Sequence, residues 1–181
     1  MPAQELEFRP ARPSDADAVV ALVESAYRGE SSRAGWTTEA DLLGGQRTDR
    51  AEVDALIADP DATLLLALAS GALSGCVLIV PAPSATAHIG MFAVRPGLQG
   101  KGLGRALLAA AEGVGRARGA ARAKLTVLEQ RQELLGWYAR RGYLLTGATE
   151  PFPYGNLRFG LPKRPDLRFA VMEKTLQAAP R

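Results

Sequence analysis

Between Val94 and Arg105 the sequence reads VRPGLQGKGLGR. Gly100, Gly102 and Gly104 alternate there, so the backbone can curl until successive N–H groups point into one concavity. The segment opens the most strongly amphipathic stretch of the chain, and a helix N-terminus adds positive potential to those donors. A diphosphate fits such a site. Lys101 and Arg105 add charge at its rim, and Gln99 offers an amide donor. A Walker A loop requires four residues between its first Gly and Gly-Lys and then Ser or Thr, and neither condition is met. The dinucleotide fingerprint G-x-G-x-x-G is missed by one residue. What remains is Gln-x-x-Gly-x-Gly at Gln99, Gly102 and Gly104.

Three further side chains could do chemistry. His88 is the only imidazole; its ordinary pKa near 6.5 would let it take a proton from an ammonium at neutral pH. Strand alternation groups His88 with Gly90, Phe92 and Val94, leaving a gap at Gly90 for a substrate. A packed or surface strand histidine is the competing reading. Tyr138 carries a phenol but by pattern alone reads as a core tyrosine beside Leu134. Cys76 sits in the apolar run CVLIV and reads as packed. With one Cys and one His, neither an intramolecular disulfide nor the usual zinc site can form, so no metal is expected.

The elements that must position these groups follow from pattern. Glu5 to Arg9 alternates as a first strand. Ser14 and Asp17 resemble a capping box that opens a helix carrying Val19, Leu22, Val23, Ala26 and Tyr27 on one face. Residues 29–35 read as a polar loop. A second helical region is expected from Thr38 or Asp41, broken at Gly44-Gly45 and resuming with Val53, Leu56 and Ile57. Thr63 to Ala69 and Cys76 to Val80 read as a hairpin, and Ala87 to Val94 as the next strand. Leu103, Ala106, Leu107, Ala110, Ala111 and Val114 mark the amphipathic helix. Arg122 to Leu128 reads as a strand, Arg131 to Arg141 as a short helix stopped by Gly142, and Tyr143 to Thr146 and Leu167 to Thr175 as two last strands. Hairpins together with helical crossovers imply mixed parallel and antiparallel pairing.

Composition sets the outer limits. The chain has 181 residues, 47% hydrophobic and 23% charged, with a net charge of +3. One globular domain over residues 1–181 is expected, and a disordered or repetitive chain is excluded. The first ten residues lack the apolar run of a signal peptide, and the longest apolar stretch, Leu64 to Ala69, is too short to span a bilayer. A cytoplasmic protein without a membrane partner is expected. The charge is divided: residues 1–90 hold 6 basic and 13 acidic groups, and residues 91–181 hold 16 basic and 6 acidic. This points to a polyanion on the second half and a cationic ligand near the first. Nucleic acid is one candidate polyanion, but aromatics are not interleaved with Arg116, Arg118, Arg122 and Lys124, so no nucleic acid is expected.

The whole pattern resembles the GCN5-related N-acetyltransferase (GNAT) family. Val94 and Pro96 match the V-x-P end of that family's strand, and Gln99, Gly102 and Gly104 match its [Q/R]-x-x-G-x-[G/A] loop. Trp137-Tyr138 and Gly142-Tyr143 stand in its L-Y-x-x-x-G-F position, with Trp for Leu and Tyr for Phe. The resemblance implies an α+β, three-layer fold with a mixed, mostly antiparallel central sheet of about seven strands, flanked by helices and splayed at its centre. It implies that acetyl-CoA is held by Phe92, Ala93, Val94, Gln99, Gly100, Lys101, Gly102, Leu103, Gly104, Arg105 and Arg131, where Arg131 replaces a frequent Asn. It also implies direct attack by a small-molecule or peptide amine, with backbone donors of strand 91–94 on the carbonyl oxygen and Tyr138 protonating the thiolate. His88 occupies the slot of a Glu base found in histone-type members. The acceptor would enter between the loops at residues 28–37 and 150–160, against Tyr27, Glu30, Trp36, Phe152 and Tyr154. Many members dimerise, which leaves a homodimer open. A catalytically silent acyl-CoA-binding module is the alternative, motivated by the absent strand Glu and by Arg131.

Overall fold

The computed structural model describes residues 5–177. Its core is a seven-stranded sheet in the order β1-β3-β4-β5-β6-β9-β7. The strands are β1 (Leu6–Pro10), β3 (Thr63–Ala69), β4 (Ala72–Ala82), β5 (Thr86–Val94), β6 (Arg122–Leu128), β7 (Leu144–Pro151) and β9 (Arg168–Thr175). All neighbours are antiparallel except β5 and β6. The long amphipathic segment forms α4 (Leu103–Ala117), the crossover that a parallel pair requires. Helices α1 (Ala16–Tyr27) and α3 (Arg50–Ala58) cover one face of the sheet, while α4 and α5 (Gln132–Ala139) cover the other.

Several local expectations are corrected. The first helix is not opened by a Ser14–Asp17 box; Asp15 accepts from Arg12 N at 2.7 Å and pairs with Arg9, which ties the turn to β1. Residues expected as a polar loop form a short helix, α2 (Gly29–Arg33). The helical region expected from Thr38 starts only at Arg50, where Asp49 accepts from Glu52 N at 2.8 Å. In between lies β2 (Leu43–Gly44), which pairs with β8 (Leu161–Pro162) in a two-stranded sheet. Glycines at 44 and 45 and the Pro-rich surroundings of β8 hide such a short element from any periodicity test.

Two irregularities open the centre of the sheet. β5 and β6 pair only from Thr86–Arg122 to His88–Lys124 and then diverge. Opposite β4, strand β5 carries one extra residue: Cys76 faces Ala93 while Leu78 faces Gly90. Met91 takes up the extra length with φ 45°, in the left-handed region. The bulge reverses the alternation. Ala87 and Ile89 pack on the α4 side, but beyond the bulge Met91 and Ala93 pack on the α1 side. His88 and Gly90 therefore face α1, whereas Phe92 and Val94 face α4, and the expected shared face does not exist.

Candidate active site

A cleft of ≈ 300 Å³ opens where β5 leaves β6. Ala26 and Tyr27 of α1, Trp36 and Thr37, the Phe92–Val94 end of β5, the glycine loop and α5 line it. The loop adopts the geometry its sequence allows: Gly100 and Gly102 have φ 76° and 90°, which a side chain would strain, and Gly102 caps α4. Gly104 lets the first turn of α4 approach Trp137, since a Cβ there would lie 3.4 Å from the indole. Free N–H groups at this helix start point the positive end of the dipole into the cleft.

The basic side chains of this wall lack acidic partners. Arg105, Arg140 and Arg141 all line the cleft, and among the described residues none forms an ion pair. Arg141 lies over the Trp137 ring, 3.6 Å from its centroid, donates to Trp137 O at 2.7 Å, and keeps a buried Nε without a partner. Burial, together with Arg140 and Arg105, holds its pKa below the usual guanidinium value. Three unneutralised cations beside a glycine cradle fit the phosphates of a nucleotide-type ligand. Arg140 and Arg141 were not singled out from sequence, because two arginines before a glycine read there as a helix end.

Tyr138 is 5% exposed, stacked edge-on against Trp137, Phe92 and Tyr143. Among the described residues its hydroxyl has no hydrogen-bond partner, and burial raises its pKa, so it stays a protonated donor facing the cleft. Tyr143, fully buried, donates instead to Glu112 at 3.0 Å, and Lys174 completes that interior triad.

The side of the cleft formed by Tyr27, Trp36 and Thr37 is joined to the glycine-loop side by long-range hydrogen bonds. Gln99 Oε1 accepts from Trp36 N at 2.7 Å, and its Nε2 donates to Val94 O at 3.0 Å. A Cβ on Gly35 would lie 2.4 Å from Gln99 Oε1, so Gly35 is needed for this approach. The Gln99 amide, expected to face a ligand, is thus engaged inside the protein. Arg131 is similarly committed: Nη1 donates to Glu39 at 2.9 Å and Nη2 to Thr37 Oγ1 at 2.8 Å. Glu39 also accepts from Arg28 at 2.6 Å, placing one buried carboxylate between two buried guanidiniums.

Of the residues singled out from sequence, Tyr27, Trp36, Phe92, Ala93, Val94, Gln99, Gly100, Gly102, Gly104, Arg105, Arg131 and Tyr138 line the cleft. Lys101, Leu103, His88, Glu30, Phe152 and Tyr154 do not. Leu103 packs against the core, and Glu30 is solvent-exposed beside Arg33. Phe152 is buried against Tyr154 and Phe169, while the Tyr154 hydroxyl donates to Arg164 O at 2.8 Å, so this pair pins its own loop. His88 lies three residues into β5 beside Lys124; burial first, then Lys124, lowers its pKa. Cys76 is fully buried with its thiol pushed up to about 12, and has no reactive character.

The family model described as "Acetyltransferase (GNAT) family" matches residues 22–143. Among curated proteins no match is found. The ribosomal-protein-S18-alanine N-acetyltransferase of Escherichia coli superposes with a TM-score of 0.71 at 15% identity, covering 98% of this chain and 97% of that one. The Salmonella typhimurium protein yncA, solved with its cofactor acetyl-CoA, gives 0.68 at 20% identity, covering 97% and 98%. Nourseothricin acetyltransferase gives 0.67 at 22% identity, covering 95% and 99%. At these identities the likeness speaks for the fold. None of the described helices is long and apolar enough to cross a membrane.

Proposed function

The chain belongs to the GNAT acetyltransferase family, and from that premise we propose that it is an N-acetyltransferase moving an acetyl group from acetyl-CoA to a primary amine in this cleft. The observation that carries the proposal is the pairing, across one cleft, of a glycine cradle flanked by three unpaired arginines with a tyrosine whose ring is buried and whose hydroxyl has no hydrogen-bond partner among the described residues. Gly100, Gly102 and Gly104 with Arg105, Arg140 and Arg141 hold the phosphates. Acetyl-CoA, when bound, supplies the acetyl group, whose C–S bond breaks as a C–N bond to the amine forms, with a thiolate leaving.

The protein's own groups then have distinct tasks. The bulge takes Met91 and Phe92 out of register with β4, and beyond His88 no residue of β5 pairs with β6, so main-chain donors at this end of the strand can orient a carbonyl and stabilise charge on its oxygen. Tyr138 donates the proton that the thiolate takes up, and the amine nitrogen returns one to solvent or to the phenolate, so protons balance. Direct attack needs no protein nucleophile, consistent with the inert Cys76. His88 is assigned no proton transfer, because it lies outside the cleft lining. A CoA-release assay over an amine panel tests the reading: acetyl-CoA binding without turnover of any amine leaves only the acyl-CoA-binding alternative.

A further inference from the structure

Seven of the acidic groups of the first half, which suggested a cationic ligand, are already committed. Glu39 serves Arg28 and Arg131, Asp15 serves Arg9, Glu30 and Asp41 serve Arg33, and Asp17 and Asp54 serve Arg50. Glu24 accepts the backbone N–H groups of Arg47 and Thr48 at 2.6 and 2.8 Å. Among the described residues no Asp or Glu lines the cleft, whereas four arginines do. A polyamine or an aminoglycoside would leave its additional ammonium groups desolvated there without a carboxylate.

Arg47 stands out against this pairing. Its backbone is fixed by Glu24 on one side and by the Thr48–Glu52 hydrogen bond and the Asp49 cap on the other. The residue is half-buried, its guanidinium lies 5.3 Å from the centroid of the Tyr27 ring, and among the described residues it has neither an ion pair nor a side-chain hydrogen bond. Tyr27 spans from that guanidinium to the reacting end of β5, where its hydroxyl donates to Phe92 O at 2.7 Å. On the same sheet face Gly90 has nothing within 4 Å of where a Cβ would stand, so there is room above the strand. A cation carried on a fixed stretch of backbone, with all its donors free and one ring away from the cleft, is suited to an anion.

We infer that Arg47 is the acceptor-recognition residue, pairing with a carboxylate on the amine, so that the substrates are small amino-carboxylates whose apolar part lies against Ala26, Tyr27, Trp36 and Phe92. This rests on the acyl-transfer reading for its amine, but the carboxylate contact can be measured without turnover. Matched pairs, phenylalanine with 2-phenylethylamine and leucine with 3-methylbutylamine, are compared by CoA release, with spermidine and kanamycin as polycation probes. The carboxylate-bearing member should be preferred at least about tenfold in kcat/KM, the scale of a charge-assisted contact. Arg47→Ala should remove that preference while changing the decarboxylated amine by less than about twofold, and Arg47→Lys should restore part of it. Equal use of both members, equal loss on both in Arg47→Ala, or faster turnover of the polycations would overturn the inference. Calorimetry of phenylalanine binding to the CoA-loaded full chain separates the two ideas. Arg47-dependent binding without turnover of any amine would sustain this site and defeat the acyl-transfer reading; absence of both binding and turnover would defeat the site.

Discussion

From Arg95 to Arg105 the glycine-loop side of the cleft is a single run of chain that leaves β5 and enters α4, so its main-chain donors are placed by local backbone geometry, and only Arg140 and Arg141 reach it from the end of α5. The facing wall takes Tyr27 from α1, Thr37 from the segment after α2, and Arg131 from the start of α5, held through Glu39 by bonds that span as many as 92 residues. One wall survives as long as its glycines do; the other depends on buried charges being matched. The difference teaches where each wall is vulnerable: the first to changes of local conformation, the second to loss of a distant partner.

The largest effect should therefore come from the acceptor wall. Glu39→Ala leaves Arg28 buried without a carboxylate and Arg131 with only Glu133 at 3.9 Å, and should cost about 3–5 kcal/mol of folding stability by denaturant titration; a loss under about 1 kcal/mol would show that this wall does not depend on its charge pairing. Next, Tyr138→Phe should lower kcat about a hundredfold while acetyl-CoA affinity changes less than about twofold, because only proton donation is removed. Parallel losses in both would make Tyr138 a packing residue of the cofactor wall.

Arg141→Ala should weaken acetyl-CoA binding about tenfold and flatten its salt dependence, with acceptor KM unaffected. Gln99→Met keeps the side-chain bulk but loses both hydrogen bonds, and should raise acceptor KM by about fivefold with acetyl-CoA affinity held; hydrogen exchange at the Trp36 amide should quicken in parallel. Were acetyl-CoA affinity to fall instead, Gln99 would belong to the cofactor wall alone. The smallest effect concerns His88. Its folded pKa is lowered, so the unfolded chain binds more protons between that value and about 6.5, and stability should rise with pH across this window. His88→Asn should remove that increment from thermal melts at pH 5–7 and leave the acidic limb of the rate profile in place.

Much of the fold was legible from pattern, and the reasons are local. The 3.6-residue spacing from Leu103 to Val114 marked α4, and the short connection between Ala69 and Cys76 marked a hairpin. Strand β7 was read as ending at Thr146 but runs to Pro151, because as an edge strand with every residue exposed it has no buried face to print an alternation. The same holds for β2 and β8, which are too short for any period. Within the site, Gly100, Gly102, Gly104 and Tyr138 could be found because glycine freedom and motif spacing are properties of adjacent residues. Glu39, Thr37 and Arg47 could not, since their roles depend on which partners folding brings or denies them. The expected grouping of His88 and Gly90 with Phe92 and Val94 fails because a single extra residue at Met91 reverses a period of two, and nothing in the composition of β5 announces a bulge.

The sequence by itself determined the glycine loop, the helix that follows it and the identity of the family, because each rests on spacing along the chain. The tertiary structure decided which charges remain free. An overall excess of acids in the first half says nothing about pairing, and only the packed chain leaves Arg47, Arg105, Arg140 and Arg141 without carboxylates while Glu39 is shared by two arginines. Electrostatic recognition is governed by distance and burial, which linear order does not encode.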